Sequence, residues 1–254
     1  MPDEMLSLDE YIQNQKLNLN QVDEYLLDVT PDYLYPTTQE AITVLKSGTR
    51  VFGEPAAALT WGIDGNRLKA SLLPGIEGEK MTAKALNTLT EQIPGLFVFH
   101  SLSWPESHGD TDHILVYKDL VILIDSKRWK AQRKYSVTDK YAVKRGTVAF
   151  PEGRVKIGWA AKAWKRKLPG NVTVRSIITI AQEKVYVVRD KNWYKAPYRL
   201  VEAEKLVEQV TYMINHHNTQ QERTSGTLLT FLMQLAVKPK NLLDEILNKE
   251  ALER

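Results

Sequence analysis

The stretch Gly109-Asp110-Thr111-Asp112-His113-Ile114-Leu115-Val116-Tyr117-Lys118-Asp119-Leu120-Val121-Ile122-Leu123-Ile124-Asp125-Ser126-Lys127 decides how the chain folds. Two apolar, β-branched runs flank a polar tip at Lys118-Asp119, the pattern of a buried hairpin. A two-residue turn sets Tyr117 against Leu120 and carries the register back until Asp112 faces Asp125. Lys-Asp is poor chemistry for a tight primed turn, so a one-residue slip through a bulge is the competing register. Directly opposed residues share a face, with Cβ atoms ~4.5–5.5 Å apart. Alternation adds Lys127 to the face of Asp125, turns Ser126 away, and takes His113 off the Asp112 face, where it reads as a hydrogen-bonded structural residue. Asp110 has the parity of Asp112 but precedes the expected strand, either as a supporting acid or as a turn residue.

Two opposed carboxylates repel and should destabilise the hairpin end. A divalent cation would offset the repulsion, because Mg²⁺ favours one or two carboxylates completed by water and phosphate oxygens. Lys127 beside them would then act on a bound water or on charge developing at phosphorus. A plain ion pair between Lys127 and one aspartate is the alternative. It leaves the second carboxylate without a reason.

Working outward, the segment 1–70 reads as a helical, acidic extension. Ser7-Leu8-Asp9-Glu10 and Thr37-Thr38-Gln39-Glu40 both fit the capping box, and Gly48 suits the end of the second helix. Gly53, Pro55, Gly62, Gly65 and Pro74-Gly75 punctuate a connection. After Gly78, apolar residues Met81, Ala85, Leu86, Leu89 and Ile93 recur at helical spacing until Pro94-Gly95. Strands are expected at 96–102, 113–117 and 120–126, a hairpin across 141–150, a helix at about 155–168, and strands at 172–181 and 185–189. Amphipathic helices at about 200–217, 227–237 and 241–252 close the chain. This order predicts an α/β fold, a mixed β-sheet flanked by helices, with divisions at 1–70, 71–200 and 201–254.

The 254 residues are 43% hydrophobic and 26% charged, enough for a full core, and contain no cysteine, which excludes disulfides, zinc ribbons and thiol nucleophiles. No apolar run approaches the roughly 18 residues of a membrane span, so a cytoplasmic protein without membrane contact is expected. The net charge of +3 conceals two opposed blocks. Residues 1–45 hold nine acids and one base, a balance of −8, whereas residues 126–170 hold fourteen bases and two acids, a balance of +12. Tyr135, Val137, Tyr141, Val143, Val148, Phe150, Trp159 and Trp164 supply core material inside the basic block, which favours a folded polyanion-binding face over a disordered tail. A solvated face without a partner is the alternative. Trp129, directly after Lys127-Arg128, is a candidate for stacking on a base. His100 and His108 have no metal-ligand spacing, and His216-His217 read as surface residues. No phosphate-loop lysine, H-E-x-x-H, G-x-S-x-G or dinucleotide glycine set is present.

Three elements in order resemble a known family: Gly75-Ile76-Glu77-Gly78-Glu79 opening a helix, Asp112-His113-Ile114-Leu115-Val116, and Leu123-Ile124-Asp125-Ser126-Lys127-Arg128-Trp129. Together they are similar to the NERD (nuclease-related) domain, within the PD-(D/E)-x-K, restriction endonuclease-like superfamily, over about residues 71–190. The name-giving proline is absent, Thr111 stands where members often carry Ile, Asp125 replaces the commoner Glu, and Lys156 and Lys162 occupy the region where related nucleases often carry Gln. The resemblance implies a Mg²⁺-dependent nuclease, with Mn²⁺ as a substitute, cutting nucleic acid and DNA in preference to RNA. Asp112, Asp125 and the Ser126 carbonyl would hold the metal, Lys127 would serve the nucleophilic water, and Glu79 would reach in from the helix. Glu79 is equally accounted for as an acid complementing a helix N-terminus. Arg128, Lys130, Arg133, Lys134, Lys156, Lys162, Lys165 and Arg166 are the candidate nucleic-acid contacts. The other expectation is an inactive nucleic-acid-binding module on the same fold, and the C-terminal helices are a candidate surface for a homo-oligomer.

Overall fold

A computed structural model describes residues 32–61, 73–104, 110–139, 142–219 and 221–239. The capping box at Ser7, His108 and the helix expected at 241–252 lie outside them. The element order is α1 (Thr38–Lys46), β1 (Val51–Phe52), α2 (Ala57–Trp61), α3 (Leu73–Gln92), β2 (Leu96–Ser103), β3 (Asp110–Tyr117), β4 (Leu120–Lys127), β5 (Lys134–Asp139), β6 (Ala142–Arg145), β7 (Val148–Arg154), α4 (Ile157–Lys167), β8 (Thr173–Ile180), β9 (Tyr186–Val188), α5 (Lys191–Lys195), β10 (Arg199–Glu202), α6 (Leu206–Asn215) and α7 (Gly226–Met233).

Six strands form the main sheet in the order β1-β2-β3-β4-β8-β10, and four form a second sheet in the order β7-β6-β5-β9. Both are mixed: β2, β3 and β4 are antiparallel, whereas β4, β8 and β10 run parallel. In the second sheet β5, β6 and β7 are antiparallel and β9 joins β5 in parallel. Two mixed sheets flanked by helices are the expected α/β class, compatible with a restriction endonuclease-like fold. Val51–Phe52, counted by its sequence position with the N-terminal extension, is the edge strand of the main sheet, parallel to β2. Two residues carry no periodicity by which they could have been foreseen.

The β3–β4 hairpin has the unslipped register, Tyr117 opposite Leu120. Its unfavourable turn is held from outside: Lys118 sits at φ 55, its N–H donates to Thr224 Oγ1, and the Asp119 carboxylate takes His217 Nε2 at 2.8 Å. His217 is therefore a nearly buried clamp on the turn, not a surface residue. The hairpin buries both faces. Leu115, Ile122 and Ile124 pack with Leu86 and Leu89 of α3 and with Val210 and Ile214 of α6, while Ile114, Val116, Val121 and Leu123 join the larger core containing Trp164 and Leu232.

Helix α1 has the foreseen capping box between Thr37 and Glu40. Helix α3 begins at Leu73, earlier than expected, because Pro74 is tolerated in a first turn where its missing N–H has no partner to lose. A Cβ at Gly78 would lie 3.4 Å from Arg128 Cβ, so the helix passes the end of β4 at contact distance and delivers the next residue, Glu79, beside it. Strands β5 and β10 and the short α5 were not expected from sequence. Among the described residues no helix is long and apolar enough to cross a membrane.

Candidate active site

The main sheet opens at Asp112. Pairing between β3 and β4 ends at His113↔Ile124, although β4 continues alongside β8 to Lys127↔Ile180. On the other side the β2–β3 ladder runs from Leu96↔Tyr117 to His100↔His113, skips Ser101 and Asp112, and resumes at Leu102↔Thr111. Ser101 has φ 50, a conformation unsuited to a regular strand. Asp112 is thus unpaired on both sides. The Ser126 N–H, which continued register would aim at Thr111, donates to Asp112 Oδ2 at 2.6 Å. The Lys127 carbonyl accepts from the Ala181 N–H at 2.9 Å, so strand alternation turns the Ser126 carbonyl the other way, toward the same opening.

Around this opening the structure gathers Glu79, Asp110, Asp112, Asp125 and Lys127. Lys127 Nζ lies 2.6 Å from Asp125 Oδ1. Glu79 is buried, 4% exposed, and its Oε2 accepts the Ala56 N–H at 3.0 Å. Ala56 sits at φ 66, and the neighbouring Ala57 N–H donates to Ser101 Oγ. Gly53 must be glycine at this crossing: its φ is +77, and a Cβ would stand 2.3 Å from the His100 carbonyl oxygen. The loop from Gly53 to Ala57 therefore clamps both Glu79 and the irregular residue that frees Asp112. No residue-type pattern marks Ala56 or Ser101. Asp110, whose parity matches that of Asp112, joins the cluster because β3 starts at it, opposite Ser103.

Four carboxylates share one lysine. Burial, reinforced by Asp110 and Asp125, pushes the Glu79 carboxyl up to about 8. Burial and then Asp125 raise Asp110. Burial, with Glu79 and Asp125 beside it, holds Asp112 well above the ordinary carboxylate range. For Lys127, burial works against the ammonium but is outweighed by Asp125 and Asp112, and its pKa rises. The cluster thus holds more carboxyl groups than its one ammonium can pair, and burial and mutual repulsion favour their protonated forms. Among the described residues no three His, Asp or Glu side chains converge into a ready-made metal cage. Two carboxylates and a backbone carbonyl are oxygen donors of the kind Mg²⁺ takes beside the waters it keeps.

The opposite face of the same strands is neutral. His113 Nδ1 lies 2.8 Å from His100 Nδ1, His100 Nε2 is 2.9 Å from Asn87 Oδ1, and His113 Nε2 is 3.2 Å from Ser126 Oγ. Burial pushes His100 down to about 4 and, with His100 beside it, His113 well below the ordinary range. With Asn87 accepting, the protons have one consistent arrangement: His100 Nε2–H donates to Asn87, His113 Nδ1–H to His100, and the Ser126 hydroxyl to His113. His113 is the hydrogen-bonded structural residue expected, and Ser126 joins the two faces through its backbone and its side chain.

Of the candidate phosphate contacts, Lys130, Arg133, Lys134, Lys156, Lys162 and Arg166 are exposed. Arg128 is engaged by Glu77 and Gln182, and Lys165 by the carbonyls of Gly170 and Val172. Trp129 is 7% exposed and packs on Tyr135 and Phe150, with ring centroids 5.2 and 5.1 Å away, so it fastens the second sheet to the end of β4 and has no face free for a base.

A mixed α/β sheet with carboxylates and a lysine at the open end of a central hairpin is an architecture compatible with the PD-(D/E)-x-K class. Residues 74–181 match the family model described as the nuclease-related domain, NERD. The matched stretch resembles that domain, and all five residues of the cluster fall inside it. No curated protein and no solved structure matches the chain.

Proposed function

We propose that the protein is a metal-dependent nuclease that hydrolyses phosphodiester bonds of DNA. The observation that carries the reading is the gathering of Asp112, Asp125 and Lys127, with Asp110 and Glu79, where the β2–β3 and β3–β4 ladders are interrupted. Asp112, Asp125 and the Ser126 carbonyl would hold Mg²⁺ or Mn²⁺. When bound, such an ion supplies a water of lowered pKa and neutralises phosphate charge. Asp112 is oriented for that task by the Ser126 N–H. Lys127, once released from Asp125, offers an ammonium to the attacking water or to the charge growing on phosphate. Glu79, protonated near neutral pH, can donate a hydrogen bond or a proton within the cluster. Exposed Lys130, Arg133, Lys134, Lys156, Lys162 and Arg166 supply backbone-phosphate contacts, which carry little sequence preference and a steep salt dependence.

The second reading is a nucleic-acid-binding module that does not cut. It is favoured by the Lys127–Asp125 ion pair, which satisfies that carboxylate without a metal. Incubation of the full chain with single- and double-stranded DNA and RNA, in Mg²⁺ and in EDTA, separates the two. The nuclease reading expects Mg²⁺-dependent cleavage that Asp125→Asn abolishes; binding without cleavage of any substrate favours the module.

A further inference from the structure

The second sheet has two faces of opposite character. Tyr135, Val137, Val143 and Phe150 point into the core against Trp129, whereas Lys134, Thr138, Ala149, Tyr186 and Val188 alternate with them and are exposed. On this outer face Lys134 stands directly opposite Tyr186. Ser136, itself buried, links Val188 on one side to half-buried Lys144 on the other, and Lys144 meets Ala149. Tyr186 is 61% exposed and Val188 40%, an aromatic and an aliphatic residue left in water on a three-residue edge strand. Isolated exposed apolar residues need no explanation, but here they are flanked by lysines from the strongly basic segment that begins two residues after Asp125. Buried Trp129 fastens the sheet to that same end of β4.

We propose that this outer face is a platform for single-stranded nucleic acid, on which Tyr186 stacks against a base while Lys134 and Lys144 contact the phosphates. An unpaired strand offers what the surface is made for: flat apolar base faces for the ring and a regularly spaced negative backbone for the lysines. In a duplex the base faces are stacked inside, so Tyr186 has nothing to meet. The platform deepens the nuclease reading and rests on it for the identity of the polyanion, naming an unpaired strand as the part of a substrate that the second sheet grips.

The test is fluorescence anisotropy of the full chain in EDTA, with a labelled oligothymidylate of about 20 nucleotides and a duplex of about the same length. Tyr186→Ala weakens binding of the single strand by about tenfold and of the duplex by less than about twofold, while Tyr186→Trp retains single-strand affinity. Replacing Lys134 and Lys144 by Ala lowers the slope of log K against log salt for the single strand by about 0.7 per lysine. Unchanged single-strand affinity in a folded Tyr186→Ala variant, or equal losses on both ligands, overturns the platform. Failure of the nuclease reading looks different: Tyr186-dependent binding in EDTA with no cleavage in Mg²⁺ removes catalysis and retains the platform. Cleavage in Mg²⁺ by a chain whose Tyr186→Ala variant binds the single strand as the wild type does removes the platform alone.

Discussion

Asp112 and His113 are sequence neighbours, yet the two faces they serve have been built on opposite principles. On the His113 face every polar atom of Ser126, His113 and His100 that the relay uses has a partner, and burial keeps both imidazoles neutral. On the Asp112 face the sheet's own ladder is given up, and several carboxylates compete for one ammonium. One face closes its hydrogen bonds and contributes stability. The other crowds carboxyl groups around one ammonium and is where the proposed site lies. Buried polar groups are tolerated when paired and costly when not, so the two faces differ in what they contribute to stability.

The largest expected effect comes from removing the reactive groups. Lys127→Met should lower Mg²⁺-dependent cleavage by about 10³-fold, in the range for a group that manages a proton or charge in the transition state. Asp112→Asn should abolish cleavage while leaving metal-free thermal stability equal to or higher than wild type, because it removes a carboxyl whose ionisation burial and its acidic neighbours oppose. A variant that loses both activity and stability would contradict the contrast between the faces. On the neutral face the order reverses. His113→Ala strands Ser126 Oγ and His100 Nδ1, at about 1–3 kcal/mol for each group left without a partner. At ~2–4 °C per kcal/mol for a chain of this size, calorimetry should read a clear fall in Tm.

pH distinguishes the faces without mutation. Glu79 has its pKa raised from 4.5 to about 8, and Asp110 and Asp112 are raised too, so between those limits the folded chain holds protons that the unfolded chain has released. Stability from this face therefore falls as pH rises through that window. His100 is lowered from 6.5 to about 4, so across that interval the unfolded chain binds more protons and stability rises with pH. The two oppose each other below pH 6.5, and only the carboxylate effect remains above it. Metal-free Tm should decline from pH 6.5 to 8, and the rise produced by Mg²⁺ should grow over the same range. A flat metal-free profile there would sink this account of the cluster.

The smallest effect belongs to the residue shared by both faces. Ser126→Ala removes the hydroxyl bonded to His113 but keeps the backbone N–H that holds Asp112. It should cost about 1 kcal/mol of stability and change cleavage by only a few fold. A loss comparable to that of Lys127→Met would show that the hydroxyl, too, serves the site.

The hairpin and its register were legible because long alternating apolar runs leave few ways to pair, and the parity of Asp112, Asp125 and Lys127 followed from the register. Less legible was whatever depends on contacts distant in sequence. Strand β1 is two residues long, β10 hides at the start of a helical pattern, and the Lys118-Asp119 turn is held by Thr224 and His217 from the far end of the chain. At the site, Asp110 was weighed and left undecided because its role depends on β3 extending to meet Ser103. The backbone of Ala56 and the irregular Ser101 carry no residue-type signal at all. Trp129 shows the converse, since its position suggested a base-stacking residue and its packing makes it an anchor.

The central claim is that Asp112 and Asp125 share a cation which Lys127 now stands in for. A crystal of the full chain soaked in Mn²⁺, with anomalous scattering recorded at the manganese edge, tests it most directly. The account predicts a manganese peak between the two carboxylates, with the Lys127 ammonium moved off Asp125. A clean map without manganese at that place, the Lys127–Asp125 pair intact at saturating metal, would contradict it.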